Sequence, residues 1–330
     1  SVVSAFGLDP SSTDNIAIGG YQVGRDAETD SSIMIGGGGC GKNAKGGRNL
    51  IIGFSSGRQL NESDDPSSAY NVVLGPSCAY NYKKGIQNVI IGYLAGYSSS
   101  GVSKGDNNVL MGYFAGQGIS CDNTIAIGQE SLGGAQGDGN ISLGKKSGHQ
   151  LEGDNNVCIG SGAGNEIIGD NNTCIGTNAG QNSTGDYNVL IGYQTGKNST
   201  GTTHTNIGIG YNTLYGTDGD RNIAIGQSSF QYSEGNLNVA LGYSSGLEGT
   251  GDQNVCIGVQ SFQGGSGNNN AGEGGGEALN AGSDAPGTST TGGNGGANTG
   301  GGAGGNGGNS NPGSAADGGS GIIIIAYADG

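Results

Sequence analysis

The chain contains no tryptophan, only two methionines, five prolines and two histidines, and only 12% of its residues are charged. Helix-forming residues are scarce, and no window carries the i, i+3, i+4, i+7 apolar pattern of an amphipathic helix. Glycine, in contrast, supplies 76 of the 330 residues. This composition argues against an ordinary core of helices packed on a sheet.

Basic residues are also few, with 12 Lys and Arg against 27 Asp and Glu, for a net charge of -15. Without a basic patch, neither nucleic acid nor an anionic membrane is an expected partner. The longest apolar run, 322–327, is far shorter than the roughly 20 residues that cross a bilayer. The first six residues lack the basic and apolar regions of an intact signal peptide. We therefore predict no nucleic-acid binding and no membrane insertion.

The most informative feature is a phrase, Asn-(Val/Ile)-x-(Ile/Leu)-Gly, which recurs fifteen times with small variations, for most of its length every sixteen residues. A short fixed period means that each unit must stack on its neighbours to bury its apolar face. The phrases close at Gly19, Gly36, Gly53, Gly75, Gly92, Gly112, Gly128, Gly144, Gly160, Gly176, Gly192, Gly210, Gly226, Gly242 and Gly258.

Each sixteen-residue repeat is predicted to fold into one coil of a stacked structure. The triplet 157–159 alternates like a strand, with Val157 and Ile159 predicted to face inward and Cys158 outward. Gly160 permits a turn, and a small residue three positions later is predicted to face inward on a second short strand. The fold class is therefore all-β, a repetitive parallel β-solenoid (β-roll) of about fifteen 16-residue coils. Pairing at about 4.8 Å per coil predicts a rod on the order of 70 Å long.

Four regions follow from the composition. Residues 1–13 form an N-terminal lead-in, 14–262 the repeat array, 263–321 a Gly-rich low-complexity region and 322–330 a short apolar C-terminal strand. The Gly-rich region is compatible with a disordered linker or an ordered bundle. Within the array, two polar connections, 57–70 and 97–106, exceed the period and are predicted to be loops.

The middle position of the triplet predicts self-association. It is almost never polar along the chain, so an outward orientation would leave a continuous apolar stripe, larger than soluble monomers expose. A strand that is apolar on both faces is usually buried on both faces. We therefore predict a homotrimer, with its chains closer together after Ala126, where the middle residues become smaller.

Two polar columns also recur. An asparagine opens most strands and is predicted to form hydrogen bonds from coil to coil. Two residues earlier lies an acidic column, interpreted as turn carboxylates that accept backbone N–H groups. A structural Ca²⁺ that relieves the repulsion between these carboxylates is the alternative, with Asp138, Asp154, Asp170 and Asp186 as candidate ligands.

Aromatic residues often follow the turn glycine and are predicted to face solvent in pairs on adjacent coils. Cross-strand stacking explains them, and contact with glycans is the functional alternative. The candidate glycan contacts are Tyr93, Tyr113, Tyr193, Tyr211 and Tyr243.

No catalytic or cofactor-binding residue is predicted. His149 and His204 are isolated from any nucleophile in the repeat register, and the acids Glu62, Asp64 and Asp65 lie on a loop without a cleft. The cysteines are interpreted as small buried hydrophobic residues. A disulfide between Cys158 and Cys174 is the alternative, because they occupy the same slot of consecutive coils.

The phrase Asn-Val-x-Ile-Gly-x-x-Ala/Ser resembles the head repeats of YadA-like trimeric autotransporter adhesins. Similar arrays occur in phage and large-virus tail fibres, with phrases close to 188–196. The resemblance covers about three quarters of the chain and implies a trimeric, surface-displayed attachment fibre without catalysis. The period is somewhat longer than that of the bacterial heads, and no heptad stalk or C-terminal membrane anchor is present, which favours a virion fibre.

The expected function is therefore that of a non-enzymatic tail or capsid fibre protein, located on the virion surface or extracellular, that mediates adhesion to a host surface. Its expected partners are two further copies of itself, other virion or filament proteins at one end, and a glycan or protein receptor. The alternatives are a subunit of a homopolymeric extracellular filament or a bacterial surface adhesin. A trimeric β-helix depolymerase is a third, enzymatic, hypothesis.

Overall fold

The computed structural model describes residues 14–20, 22–60, 69–99, 104–200, 203–262 and 264. The predicted lead-in, the loop acids Glu62, Asp64 and Asp65, the Gly-rich region apart from Gly264, and the predicted C-terminal strand lie outside these residues.

Each repeat phrase forms one short strand, because its alternating β-branched and apolar residues favour extended backbone. The described residues contain fifteen strands and no helix. The strands are β1 (Ile16–Gly19), β2 (Ile33–Gly36), β3 (Leu50–Ile52), β4 (Val72–Leu74), β5 (Val89–Ile91), β6 (Val109–Met111), β7 (Ile125–Ile127), β8 (Ile141–Leu143), β9 (Val157–Ile159), β10 (Thr173–Ile175), β11 (Val189–Ile191), β12 (Ile207–Ile209), β13 (Ile223–Ile225), β14 (Val239–Leu241) and β15 (Val255–Ile257).

The chain divides into two compact units, residues 1–183 with β1–β10 and residues 184–330 with β11–β15. Within each unit, every strand pairs in parallel with the next along the chain, and equivalent residues face each other; Cys158, for example, is opposite Cys174. Each unit is therefore a parallel β-solenoid whose strands lie about sixteen residues apart. The predicted all-β solenoid is confirmed.

The predicted second strand is reduced to single bridges. In the regular sixteen-residue coils these parallel bridges join residues eight positions after the closing glycine, such as Gln136 with Glu152 and Glu152 with Ile168. The small residue three positions after the glycine is buried, as predicted, but it lies in a turn rather than on a strand; Ala163 and Ser147 are fully buried examples.

The predicted orientation of the triplet is wrong. The middle residue points into the coil: Ile51, Leu110 and Cys158 have no exposed surface, whereas the residues on either side are half-buried or exposed. The apolar face that points outward is thus built from the flanking Val and Ile residues. The predicted closer approach of chains after Ala126 has no basis, because the middle residues do not face other chains.

Instead, the middle residue packs against a second interior residue of its own coil, and the sizes of the two residues are related. A glycine lies against most of the large middle residues, as Gly116 does against Leu110, four residues after the closing glycine of the phrase. In several coils with a small middle residue, a large side chain takes the place of that glycine; Leu214 packs beside Gly208, and Leu132 belongs to the coil of Ala126. In coils where both positions are small, as at Gly148, a large side chain of the preceding coil, here Leu132, fills the space.

The closing glycine of each phrase is required by the stacking of coils. Gly160 has φ of +133°, and an added Cβ would lie 2.6 Å from the carbonyl oxygen of Gly176 in the next coil. The same arrangement recurs at Gly112 and Gly144, where the distance to the next coil is again 2.6 Å. A side chain at this position would separate neighbouring coils.

The asparagine column forms the predicted ladder of hydrogen bonds. The backbone N–H of Asn156 donates to Oδ1 of Asn140 at 2.8 Å, and Oδ1 of Asn156 accepts the N–H of Asn172 at 2.9 Å. Nδ2 of Asn156 donates to the carbonyl of Gly169 at 2.9 Å. Since these side chains are fully buried, the ladder satisfies backbone groups that water cannot reach.

Candidate functional site

The outer face of the strands is an extended apolar surface in the described part of each unit. Fifteen strands have thirty flanking positions, and all but Thr173 are Ile, Val, Leu or Met. In unit 1, Ile16 and Ile127 are 47% and 40% exposed; in unit 2, Ile209 and Ile225 are 38% and 42% exposed. Aligned β-branched side chains thus form an apolar strip along each unit, and strips of this extent are typical of interaction surfaces.

The bridge column presents a different surface. Its residues are mainly charged or polar and exposed or half-buried, and they are Glu28, Lys45, Lys84, Lys104, Ser120, Gln136, Glu152, Ile168, Asp218, Glu234 and Thr250. Ile168 is the one aliphatic residue among them and is 52% exposed. One surface of each coil is therefore suited to water and another to an apolar partner.

The acidic column accepts backbone hydrogen bonds across coils. Oδ1 of Asp154 accepts the N–H of Asp138 at 2.7 Å, and Oδ1 of Asp170 accepts the N–H of Asp154 at 2.8 Å. The predicted role as an acceptor in the turn is therefore observed, although each carboxylate binds the turn of the preceding coil rather than its own. Asn236 replaces an aspartate in this column and accepts the N–H of Asp220 at 2.8 Å.

Three of the candidate calcium ligands, Asp138, Asp154 and Asp170, accept hydrogen bonds in this ladder. The fourth, Asp186, adjoins a histidine: Nδ1 of His204 accepts the N–H of Asp186 at 3.0 Å, which places the imidazole in the aspartate's role of acceptor. In the part of the chain that the structure describes, no three His, Cys, Asp or Glu side chains are grouped so as to hold a metal. Calcium thus remains a prediction, without a preformed ligand group among these residues.

The aromatic residues form the predicted pairs. Tyr93 and Tyr113 stack with ring centroids 5.8 Å apart and planes 12° apart, and Tyr193 and Tyr211 stack at 5.0 Å and 9°. All four, together with Tyr243, are between 42% and 50% exposed. Stacking on adjacent coils is confirmed, and contact with glycans stays a prediction.

All six cysteines are free and buried. This arrangement agrees with small hydrophobic residues, and the alternative disulfide between Cys158 and Cys174 is not formed. Burial raises the pKa of Cys40 and Cys256 to about 11 and that of Cys78 and Cys121 to about 12. A hydrogen bond with Cys158 and burial raise the pKa of Cys174 as well. These thiols are protonated at neutral pH.

His149 belongs to unit 1 and His204 to unit 2. His149 borders a surface groove with Glu130 nearby, and His204 caps the turn of Asp186. None of the described residues belongs to a helix that could span a membrane. Comparisons with protein-family models, with curated proteins and with solved structures found no match.

Sequence reasoning missed the groove beside His149. It lies in unit 1 between the coils of β6, β7 and β8 and has a volume of about 420 Å³. Its signal in the sequence is the absence of side chains at Gly118, Gly133 and Gly134, at positions where most other coils carry polar or aromatic residues. A search for motifs that bear chemistry does not detect missing side chains.

Proposed function

We propose that this protein is a non-enzymatic attachment fibre subunit that assembles as a homotrimer through the outer apolar face of its strands. It is displayed on the surface of a virion, as part of a tail or capsid fibre, and binds a glycan or protein receptor on a host surface. Other virion proteins hold it at one end. Two arguments support the proposal: the repeats resemble those of YadA-like heads and tail fibres, and the folded chain exposes an apolar strand face that a partner would cover.

The observation that carries the proposal is the composition of the outer strand face. Of its thirty flanking positions, twenty-nine are apolar, whereas the bridge column is mainly polar. Burying such side chains contributes roughly 25 cal/mol for each Å² removed from water. Three copies arranged around an axis would cover the apolar strip and leave the polar bridge column in water. A closed symmetric assembly also limits further association.

The first test is the mass of the full chain in solution. Sedimentation equilibrium is expected to give three times 32.3 kDa, and a single-chain mass would contradict the trimer. The second test locates the protein: antibodies against the repeat array, used with gold labelling and electron microscopy, are expected to mark fibres on virus particles. Labelling of cell-surface filaments instead would favour the filament hypothesis.

One observation favours that second hypothesis. In the last strand of the array, Val255 and Ile257 are 65% and 63% exposed, and an added Cβ at Gly258 would contact nothing within 4 Å. Among the described residues β15 has a strand on one side only, and the edge of a parallel sheet can accept a further strand. End-to-end addition of subunits at β15 would then give open filaments, which electron microscopy distinguishes from fibres of one fixed length.

A further inference from the structure

The groove in unit 1 arises because consecutive coils lack side chains at one place. Five residues after the closing glycine, Gly133 in the coil of β7 has no side chain, whereas the coils of β6 and β8 carry Gln117 and His149 there. One position later, Gly118 and Gly134 carry no side chain either. The result is a notch of about 420 Å³, which is within the size range of small-ligand sites.

The borders of the notch combine aromatic rings with polar groups. Tyr113 and Phe114 meet edge to face on one side, with ring centroids 4.5 Å apart, and Tyr97 lies further along. Tyr113 stacks on Tyr93 and is 45% exposed, so part of its surface can contact a ligand in the notch. The amides of Gln117 and Gln150 and the imidazole of His149 supply both donors and acceptors.

The charge at the notch disfavours anionic ligands. Glu130 lies on the border, and a hydrogen bond from Nε2 of Gln129 at 2.9 Å and the ammonium of Lys146 at 3.4 Å lower the pKa of its carboxyl. The carboxylate is therefore ionised at neutral pH and accepts hydrogen bonds from hydroxyl groups. An anionic sugar or a phosphate would meet this negative charge directly.

We propose that the notch bordered by Tyr113, Glu130 and His149 binds a neutral saccharide unit. The aromatic rings would pack against the C–H face of the sugar, and the amides, imidazole and carboxylate would pair with its hydroxyl groups. A mixed surface of this kind offers little to a purely apolar ligand. This inference rests on the proposed attachment function and assigns its ligand class.

The test measures binding of the methyl glycosides of galactose, glucose, mannose and N-acetylglucosamine to the full chain by saturation-transfer NMR. The imidazole signals of His149 report whether a sugar enters the notch. Gly134→Asn is the decisive variant, because asparagine occupies the equivalent left-handed position at Asn198 and an added Cβ would be 3.7 Å from Cγ of Gln150. It should fold normally and fill the notch.

Gly133→Gln is the second variant, and it copies Gln117, which holds the same position in the preceding coil. It requires only a small shift of His149, whose Cδ2 would lie 3.1 Å from the new Cβ. The matched control is Asn165→Gln, at the same position of the coil two repeats from Gly133 and outside the notch. Melting temperatures confirm that each variant is folded. The control should retain binding, whereas each notch variant should weaken it at least about tenfold.

Two results would overturn the inference: no binding of any of the four glycosides by the native chain, or equal binding by the native chain and both notch variants. A failure here is separate from a failure of the proposed function. The trimer mass and the labelling of particles do not depend on the notch, so they would still support a fibre that uses a different receptor. Conversely, if the protein binds a glycoside but has the mass of a single chain, the saccharide site is supported and the trimer is contradicted.

Discussion

Cys78 fills an interior position of its coil as a neutral thiol, and the stability of the protein therefore depends on pH in the alkaline range. Burial is the largest cause of the raised pKa of Cys78, which reaches about 12 from an ordinary value of 9.0. In the unfolded chain the same thiol loses its proton near pH 9. As pH rises above about 9, the thiol ionises in the unfolded state but not in the folded state. This ionisation lowers the free energy of the unfolded state, so the folded protein becomes less stable.

We expect the free energy of unfolding to fall between pH 8 and pH 10.5, by about 2 kcal/mol for the Cys78 thiol. Denaturant unfolding at both pH values measures the change. Cys78→Ala is the matched control, because alanine fills the equivalent position at Ala95 and Ala115. The decrease in unfolding free energy from pH 8 to pH 10.5 should be smaller in this variant by about 2 kcal/mol. An equal decrease in both proteins would mean that the Cys78 thiol does not contribute.

The acidic column needs an acceptor at each turn rather than a charge. Asn236 already serves in place of an aspartate, and the carboxylate of Asp154 accepts one backbone N–H at 2.7 Å. Asp154→Asn should therefore change the unfolding free energy by less than about 0.5 kcal/mol. Asp154→Ala removes the acceptor and should cost about 1 kcal/mol.

Thermal melting of the native chain and both variants, with calcium and with a chelator, separates hydrogen bonding from metal binding. If the carboxylates only accept hydrogen bonds, the chelator leaves all three melting temperatures unchanged. A melting temperature that calcium raises in the native chain and not in Asp154→Asn would instead establish the calcium alternative.

The stacking of coils depends on backbone contact between the closing glycines. Gly160→Ala would place a Cβ 2.6 Å from the carbonyl oxygen of Gly176, in a backbone region that alanine rarely adopts. Gly258 has a similar φ of +129°, but an added Cβ there would contact nothing within 4 Å. Comparison of the two substitutions separates the cost of the backbone conformation from that of the clash.

We expect Gly258→Ala to cost about 1–3 kcal/mol, the usual range for a strained backbone conformation. Gly160→Ala should cost clearly more, because the coils on either side must also move apart. Chemical denaturation of both variants gives the two values. Equal costs would show that the coils can separate locally without loss of pairing.

Two positions of one coil share the interior space: the middle residue of the triplet and the residue four positions after the closing glycine. A large residue at one is matched by a small residue at the other in the coils of β6 and β7. Leu110 is paired with Gly116, and an added Cβ at Gly116 would lie 2.7 Å from Cδ1 of Leu110. In the next coil, Ala126 and Leu132 have the opposite sizes. Leu132 has φ of +50°, so a leucine is compatible with the backbone at this position.

Leu110→Ala should therefore cost about 2–5 kcal/mol through the cavity that it leaves. Gly116→Leu should also destabilise the protein, because the new side chain has no room beside Leu110. The double variant reproduces the pattern of the next coil, and its cost should be lower than the sum of the single costs by about 1–3 kcal/mol. Additive costs in this double-mutant cycle would contradict this sharing of interior space.

The repeat spacing was sufficient to predict the strands, the parallel solenoid and the stacked tyrosines, since a fixed period places equivalent residues on top of each other. The orientation of the triplet could not be read in the same way. Both sets of positions in Val157-Cys158-Ile159 are apolar, and an alternation of two apolar sets does not indicate which one is inside. The match in size between the middle residue and the position of Gly164 carries that information, but only when several coils are compared.

For the whole molecule, the outward orientation of the flanking residues provides a broader apolar face than the predicted seam. Each strand contributes two outward side chains instead of one, and most are β-branched. An exposed apolar surface, the predicted reason for self-association, is therefore still present, but it consists of the flanking residues instead of the middle ones. A trimer interface, if formed, contains Ile159 and Ile175 rather than Cys158 and Cys174.

The last prediction tests this face directly. Ile159→Lys combined with Ile175→Lys places two charges in adjacent coils on the outer strand face, and trimerisation would bury three copies of each. Burying unpaired charges costs several kcal/mol per ion, so sedimentation should show dissociation to single chains. Gln136→Lys combined with Ile168→Lys adds the same charge to the exposed bridge column, and this control should retain the mass of the native assembly. A native trimer that persists in both variants would show that another surface holds the copies together, because an interface on the strand face cannot contain six unpaired ammonium groups.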